Sequence, residues 1–173
     1  MKAGTGRSAS RGTGVRILGL DPGTRATGYG VIEKRENRFF FVTCGVIRTS
    51  AKTPLPDRLR EIHAGVTEVI KEYGPSQAAV EDIFTAVNPR SALKLGHARG
   101  VIILAAMEHD LPVHEYSPRS VKQSVTGYGQ APKEQIQHMV RILLNLSAAP
   151  SHDAADALAI ALCHANHYDN LHL

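Results

Sequence analysis

The chain has 173 residues, 43% of them hydrophobic and 5% aromatic, with no Trp, which is enough for one domain with an aliphatic core and too little for two ordinary ones. Lys and Arg number 20 against 16 Asp and Glu, a net charge of +4 that is compatible with nucleic-acid binding. The longest apolar run, VIILAAM at 101–107, falls far short of the roughly 18 residues that span a bilayer, so no membrane role is expected.

The opening MKAGTGRSASRGTG has no hydrophobic segment of the secretory kind, and it reads as a disordered basic tail over residues 1–14. A single domain is expected from 15 to 170. VRILGLD (15–21) is a short apolar run that reads as a buried strand closing on Asp21. After the Pro- and Gly-rich loop DPGTRATGYG, the overlapping TGYGVIEK and RFFFVTCGVIRT read as two more strands with ENR (36–38) as their turn, an antiparallel meander. LPDRLREIHAGVTEVIKEYG carries Leu59, Ile62, Val66, Val69, Ile70 and Tyr73 at helical spacing and stops at Gly74 and Pro75.

QAAVEDIF (77–84) reads as a fourth strand. SALKLGHARGVIILAAMEHD follows as a long helix, apolar on nearly all sides in its second half. LPVHEYS (111–117) reads as a fifth strand, and Ser117-Pro118 starts a short helix to about Val125. TGYGQAP is a Gly-rich break that reads as flexible. PKEQIQHMVRILLN has Ile136, Met139, Val140, Leu143 and Leu144 on one face, and SHDAADALAIALCHA is a last, largely apolar helix. The order predicts an α/β fold: a mixed five-stranded sheet, three antiparallel strands followed by parallel additions, with helices on both faces. Cys44 and Cys163 have no CxxC spacing and read as small buried hydrophobes of a reduced, cytosolic protein.

Four carboxylates sit where burial is otherwise wanted. Asp21 ends an apolar strand, Glu81 comes late in another, and Asp153 and Asp156 share one face at the head of the last helix. Converging carboxylates repel unless protonated or bound to a cation, and all-oxygen donors suit Mg²⁺ or Mn²⁺ with a phosphate completing the shell. Each residue also has a plainer reading. Asp21 could start a turn before Pro22-Gly23, Glu81 could face solvent at a strand end, and Asp153 could favour the helix dipole behind Ser151 as N-cap. Asp156 lies beyond the first turn, where the dipole argument fades. His152 reads as a surface residue of the first turn.

LGLDPGTRATGYGVIE, VEDIF, SALKLGHARGV and HDAADALAIA, in this order from about residue 16 to 167, resemble the RuvC family of Holliday-junction resolvases. The resemblance implies a ribonuclease H-like fold and a bacterial cytoplasmic, nucleoid-associated homodimer that acts on four-way junction DNA. It implies a branch-migration helicase as a further partner. Asp21, Glu81, Asp153 and Asp156 match the family's catalytic and metal-binding carboxylates. The chemistry implied is phosphodiester hydrolysis with two Mg²⁺ or Mn²⁺ ions, leaving 5′-phosphate ends that can be ligated. Phe84 matches an aromatic placed against bases at the junction centre, and Lys122 and Lys133 match basic positions beside the DNA backbone. Arg90, Lys94, Arg99 and Arg119 are weaker phosphate-contact candidates. Ala92, Gly96 and Gly100 form a small-residue stripe on a helix apolar all round, as a subunit interface would require.

Two other classes compete. LGLDPGTRATGYG also resembles the phosphate-binding turn of actin-like and sugar-kinase ATPases, but those need two related domains, and no GxxxxGK[ST] is present. Another ribonuclease H-like nuclease acting on hybrids or flaps, or a junction-binding module without catalysis, would share much of the pattern. The full set of four carboxylates argues against the binding module.

Overall fold

The computed structural model describes residues 14–82 and 88–168. Residues 1–13 of the expected tail at 1–14, and Phe84, lie outside the described residues. Within them the chain runs β1 (Val15–Asp21), β2 (Ala26–Arg35), β3 (Arg38–Arg48), α1 (Leu55–Tyr73), β4 (Gln77–Glu81), α2 (Pro89–Met107), β5 (Val113–Tyr116), α3 (Pro118–Thr126), α4 (Lys133–Leu143) and α5 (His152–His167). The sheet order is β3-β2-β1-β4-β5. β1 pairs antiparallel with β2 and β2 with β3, while β4 runs parallel to both β1 and β5. The meander and the parallel additions therefore fall as the hydrophobic pattern predicts. The fourth strand ends at Glu81, short of the expected residue 84.

Strand alternation sorts the core into two layers. Leu18 and Leu20 of β1 join Ala78 and Val80 of β4 against Ile62, Val66 and Ile70 of α1 and Ala98, Ile102, Ala105 and Ala106 of α2. Ile17 and Ala79 face the other way, toward α3, α4 and α5. Side chains two apart share a face, so Asp21 follows Ile17 and Gly19, and Glu81 follows Ala79, onto the α5 side. The period-2 pattern of two apolar strands thus puts two carboxylates on one face at the sheet's end.

Glycines let α5 lie directly on that face. Gly19 pairs with Gly30, and Asp21 with Gly28, across β1 and β2. A Cβ on Gly19 would sit 2.1 Å from the Ala157 carbonyl oxygen, and one on Gly28 would sit 2.1 Å from that of Asp153. No side chain fits there, and the helix backbone rests on the strand backbone. From Ala154 to Ala165, α5 is buried at every position except Asp156. The fully buried His164 accommodates its ring by pairing Nδ1 with the Tyr116 hydroxyl at 2.8 Å and stacking on His114.

Helix ends follow local chemistry. Gly74 and Gly127 take left-handed conformations as C-caps of α1 and α3, and Ser117 caps α3 by accepting from the Ser120 amide. Ser151 holds the N-cap position of α5, but its hydroxyl makes no capping bond, contrary to the sequence expectation. Cys163 is buried as expected, whereas Cys44 is only partly so.

Candidate active site

At the sheet end where β1 and β4 stop, a cleft of about 240 Å³ is lined by Asp21, Glu81, Asp156, Lys122, Lys133, Pro118, Val121, Ile136 and Ala159. Three of the four expected carboxylates and both expected lysines share this wall. Asp153 does not line the cleft. It stands one turn before Asp156, and its charge still reaches Asp21. His152 is exposed at the head of α5.

The electrostatics are those of a site short of positive charge. Burial pushes the Asp21 carboxyl up to about 8, and the nearby Glu81, Asp156 and Asp153 add to the shift while Lys133 opposes it. Burial also raises Glu81 and Asp156; Asp156 adds to the rise of Glu81 and Asp153 to that of Asp156, and both lysines oppose the two rises. Lys133 Nζ stands 3.8 Å from Asp156 Oδ2, a largely solvated ion pair. Among the described residues no three His, Cys, Asp or Glu side chains are already gathered tightly enough to hold a metal ion by themselves. The expected donor set is nevertheless all carboxylate, three of its members open on one cleft, and burial and neighbouring carboxylates disfavour the charged form of each of those three. That fits hard divalent ions whose remaining ligands are water and substrate oxygens.

Supporting residues hold the two strand ends, Arg58, Thr49 and Thr27 unforeseen from the sequence and Arg99 in a role other than the expected one. The turn after Asp21 is tied down by Arg58, which is buried on α1. Its guanidinium donates to the Thr24 carbonyl and, through Nε, to Thr49 Oγ1 at 3.2 Å, while the Thr49 hydroxyl donates to the same carbonyl at 2.6 Å. Thr27, fully buried, donates to the Gly23 carbonyl at 2.7 Å. At β4, Arg99 Nε donates to the Glu81 carbonyl at 3.2 Å, and its Nη2 pairs with Asp82 at 3.3 Å and with Glu115. Arg99 is therefore committed to acidic neighbours inside the fold, not offered to a phosphate as its sequence position suggested. Arg90 and Lys94 are exposed on α2 and do not line the cleft, and Arg119 is exposed at the start of α3.

A mixed sheet of this order, with carboxylates at two strand ends beneath the head of α5, is the arrangement of the ribonuclease H-like class. The model of the family described as crossover junction endodeoxyribonuclease RuvC matches residues 17–164, and the chain belongs to that family. It is 57% identical over 152 residues to a crossover junction endodeoxyribonuclease RuvC of Syntrophotalea carbinolica, covering 88% of this chain and 94% of the other. It is 56% identical over 150 residues to that of Acinetobacter baylyi, covering 87% and 82%. Among solved structures it resembles Thermus thermophilus RuvC in complex with Holliday junction substrate, with a TM-score of 0.83, 38% identity, and coverage of 91% of this chain and 96% of the other. The yeast mitochondrial Holliday junction resolvase Ydc2, 15% identical over 91% of this chain and 82% of the other with a TM-score of 0.62, shares the fold.

Proposed function

We infer that this protein resolves four-way DNA junctions by hydrolysing phosphodiester bonds, with Asp21, Glu81, Asp153 and Asp156 as its catalytic and metal-binding residues. The observation that carries the reading is the convergence of Asp21, Glu81 and Asp156 on one cleft whose other charged wall is Lys122 and Lys133. Nucleases of this family are metal-dependent in general. For this site we propose two Mg²⁺ or Mn²⁺ ions. Asp21, which closes the central strand β1 between β2 and β4, would contribute to holding both. Bound divalent ions would supply neutralisation of the phosphoryl oxygens and acidification of a water.

The chain's own residues do the rest. Lys122 and Lys133 hold the phosphate by its non-bridging oxygens, while the carboxylates fix the line of attack. The water oxygen bonds to phosphorus as one of its protons passes to a carboxylate, the bond to the 3′ oxygen breaks, and that oxygen takes a proton from solvent. A 5′-phosphate and a 3′-hydroxyl remain.

Two matched cuts need two sites, and α2 supports a homodimer. Its buried side packs on α1, but Leu93, Leu104 and Met107 are exposed at 68, 52 and 55%. Between Leu93 and Leu104, Gly96 and Gly100 have nothing within 4 Å of where a Cβ would be. A second copy pressed on this stripe would bury the apolar side chains at close backbone approach. Phe84 at the junction centre, a branch-migration helicase as partner and a site of action in the bacterial cytoplasm complete the proposal.

The test offers a mobile four-way junction, a linear duplex and an RNA–DNA hybrid, each with Mg²⁺, Mn²⁺ or EDTA. Paired metal-dependent nicks in the junction alone are expected. Asp21→Asn should bind the junction without cutting it, and sedimentation should show a dimer. Cutting of the hybrid in preference to the junction, or a monomer on DNA, would overturn the reading.

A further inference from the structure

The loop between α3 and α4, which as sequence reads as a flexible glycine break, is braced. The Gly127 amide donates to the Gln123 carbonyl at 2.9 Å, and the Gln123 side-chain amide returns a bond to the Gly127 carbonyl at 3.0 Å. The Thr126 hydroxyl donates to the Lys122 carbonyl at 2.8 Å and accepts from the Tyr128 amide at 3.1 Å. The Ala131 amide donates to the Tyr128 carbonyl at 3.2 Å, and Ala131 itself is fully buried in the core. This framework holds out one aromatic side chain, Tyr128, 56% exposed.

Its surroundings set Tyr128 apart from the other exposed apolar residues. A Cβ on Gly129 would sit 2.8 Å from Arg119 Cγ and 3.2 Å from Arg119 Nε, so the Arg119 side chain lies across the loop beside Tyr128. Lys122 precedes the loop by one helical turn, Lys133 follows it directly, and both line the carboxylate cleft. No Asp or Glu occurs from Tyr116 to Lys133. Exposed aromatics scattered singly are ordinary. An aromatic held by a hydrogen-bonded loop among three cations, beside a phosphate-sized cleft, matches the composition of a nucleic-acid stacking platform. Thr126 lies ~6 Å along the helix from Lys122, about two base steps of a DNA strand.

We propose that Tyr128 is a DNA-binding residue: its ring stacks on a base of the strand that enters the cleft, near the scissile phosphate, and Arg119 pairs with an adjacent phosphate. The proposal rests on the nuclease reading of the cleft and adds a contact that fixes which nucleotide is presented to it. A stacked tyrosine immobilises few side-chain torsions, so a braced loop supplies the contact at low entropic cost.

The chain contains no Trp, so Tyr128→Trp places a single indole at the loop. Its emission is followed while four-way junction is added in EDTA, where no cutting occurs, with fluorescence anisotropy of labelled junction recorded in parallel. Emission should be quenched and should saturate with the anisotropy. Tyr128→Ala should bind about tenfold more weakly with an unchanged melting temperature, and Tyr128→Phe, which keeps the stacking ring, should recover most of that loss. An emission unmoved at saturating junction overturns the proposal. So does wild-type binding and cutting by Tyr128→Ala. If the wild type ignores junctions but Tyr128→Trp is quenched by another DNA, the resolvase reading fails and the stacking contact stands.

Discussion

Lys133 Nζ lies 3.8 Å from Asp156 Oδ2, across the mouth of the cleft that Asp21 and Glu81 close from the sheet side. The lysine thus has two possible counter-charges, the carboxylates and an incoming phosphate. Divalent ions on the acidic side would weaken the attraction of Asp156 for the ammonium, and the side chain, 69% exposed, would then be free to pair with a phosphate, as proposed for it. Lys133→Met should lower junction affinity and reduce the slope of log affinity against log salt by about one. Binding isotherms at several salt concentrations check this; an unchanged slope would mean that Lys133 never reaches a phosphate.

Asp21 gives the protein a pH dependence of defined sign. Its carboxyl titrates near 8 in the fold, against a usual value near 3.8, because burial and three neighbouring carboxylates disfavour its charge. Between those values the folded chain binds more protons than the unfolded chain, so stability without metal falls as pH rises from about 4 to about 8. Divalent ions compete with those protons and should stabilise more at the top of the window than at the bottom. Melting temperatures at pH 5.5 and 8, with EDTA and with Mg²⁺, test both halves. Asp21→Asn should remove the largest part of the slope, and Glu81 and Asp156, which are shifted the same way, the remainder.

The three carboxylates that line the cleft are legible in the sequence because each departs from its local pattern, whereas Asp153 suits a helix's first turn. Asp21 and Glu81 interrupt apolar strands, and Asp156 interrupts an Ala-rich helix. The sheet is legible for the same reason, since period-2 runs and turn residues mark its strands. What the sequence hides depends on register. That Gly19, Gly28 and Gly30 form a trough for α5 follows only once β1 and β2 are paired residue by residue. Nothing in the sequence singles out Arg58, and Arg99 reads as a phosphate-contact candidate, but their acceptors are the Thr24 and Glu81 carbonyls, 34 and 18 residues away. The TGYGQAP loop reads as flexible because glycine permits many conformations, while its rigidity comes from side chains of α3 and a buried Ala131.

The trough makes Gly28 a sharper probe of the site than any conservative change to the carboxylates. A Cβ there would stand 2.1 Å from the Asp153 carbonyl oxygen and 2.7 Å from its carbon, both helix backbone that cannot rotate aside. Gly28→Ala must lift the first turn of α5 from the sheet and carry Asp153 and Asp156 away from Asp21. The expected cost is about 1–3 kcal/mol of stability, with metal affinity weakened although every ligand is retained. Chemical denaturation and Mn²⁺ titration measure the two effects separately. A variant with unaltered Mn²⁺ affinity would show that the helix position is not what assembles the acidic cluster.

Arg99 offers the corresponding probe on the other side of the cleft. The pairing of β1 with β4 reaches only to Val80, one residue before Glu81. Beyond it the Glu81 carbonyl is held by Arg99 Nε, and the same guanidinium pairs with Asp82 and with Glu115 of the neighbouring strand. The arginine comes from α2, the helix that also carries the open Gly96–Gly100 stripe of the proposed subunit face. Arg99→Ala leaves Asp82 and Glu115 without their shared cation and leaves the strand end held by β5 alone, through the Asp82 amide and the Tyr116 carbonyl at 2.8 Å. A displacement of about 1 Å at a reacting group costs on the order of 100-fold in rate. Single-turnover cutting at saturating Mg²⁺ should therefore fall about 10- to 100-fold while junction affinity stays within about twofold, since Arg99 faces carboxylates and not the DNA-facing wall. Arg99→Lys should recover part of the rate, because one ammonium cannot span the three acceptors that the planar guanidinium reaches. An equal loss of affinity and rate would instead place Arg99 among the phosphate contacts.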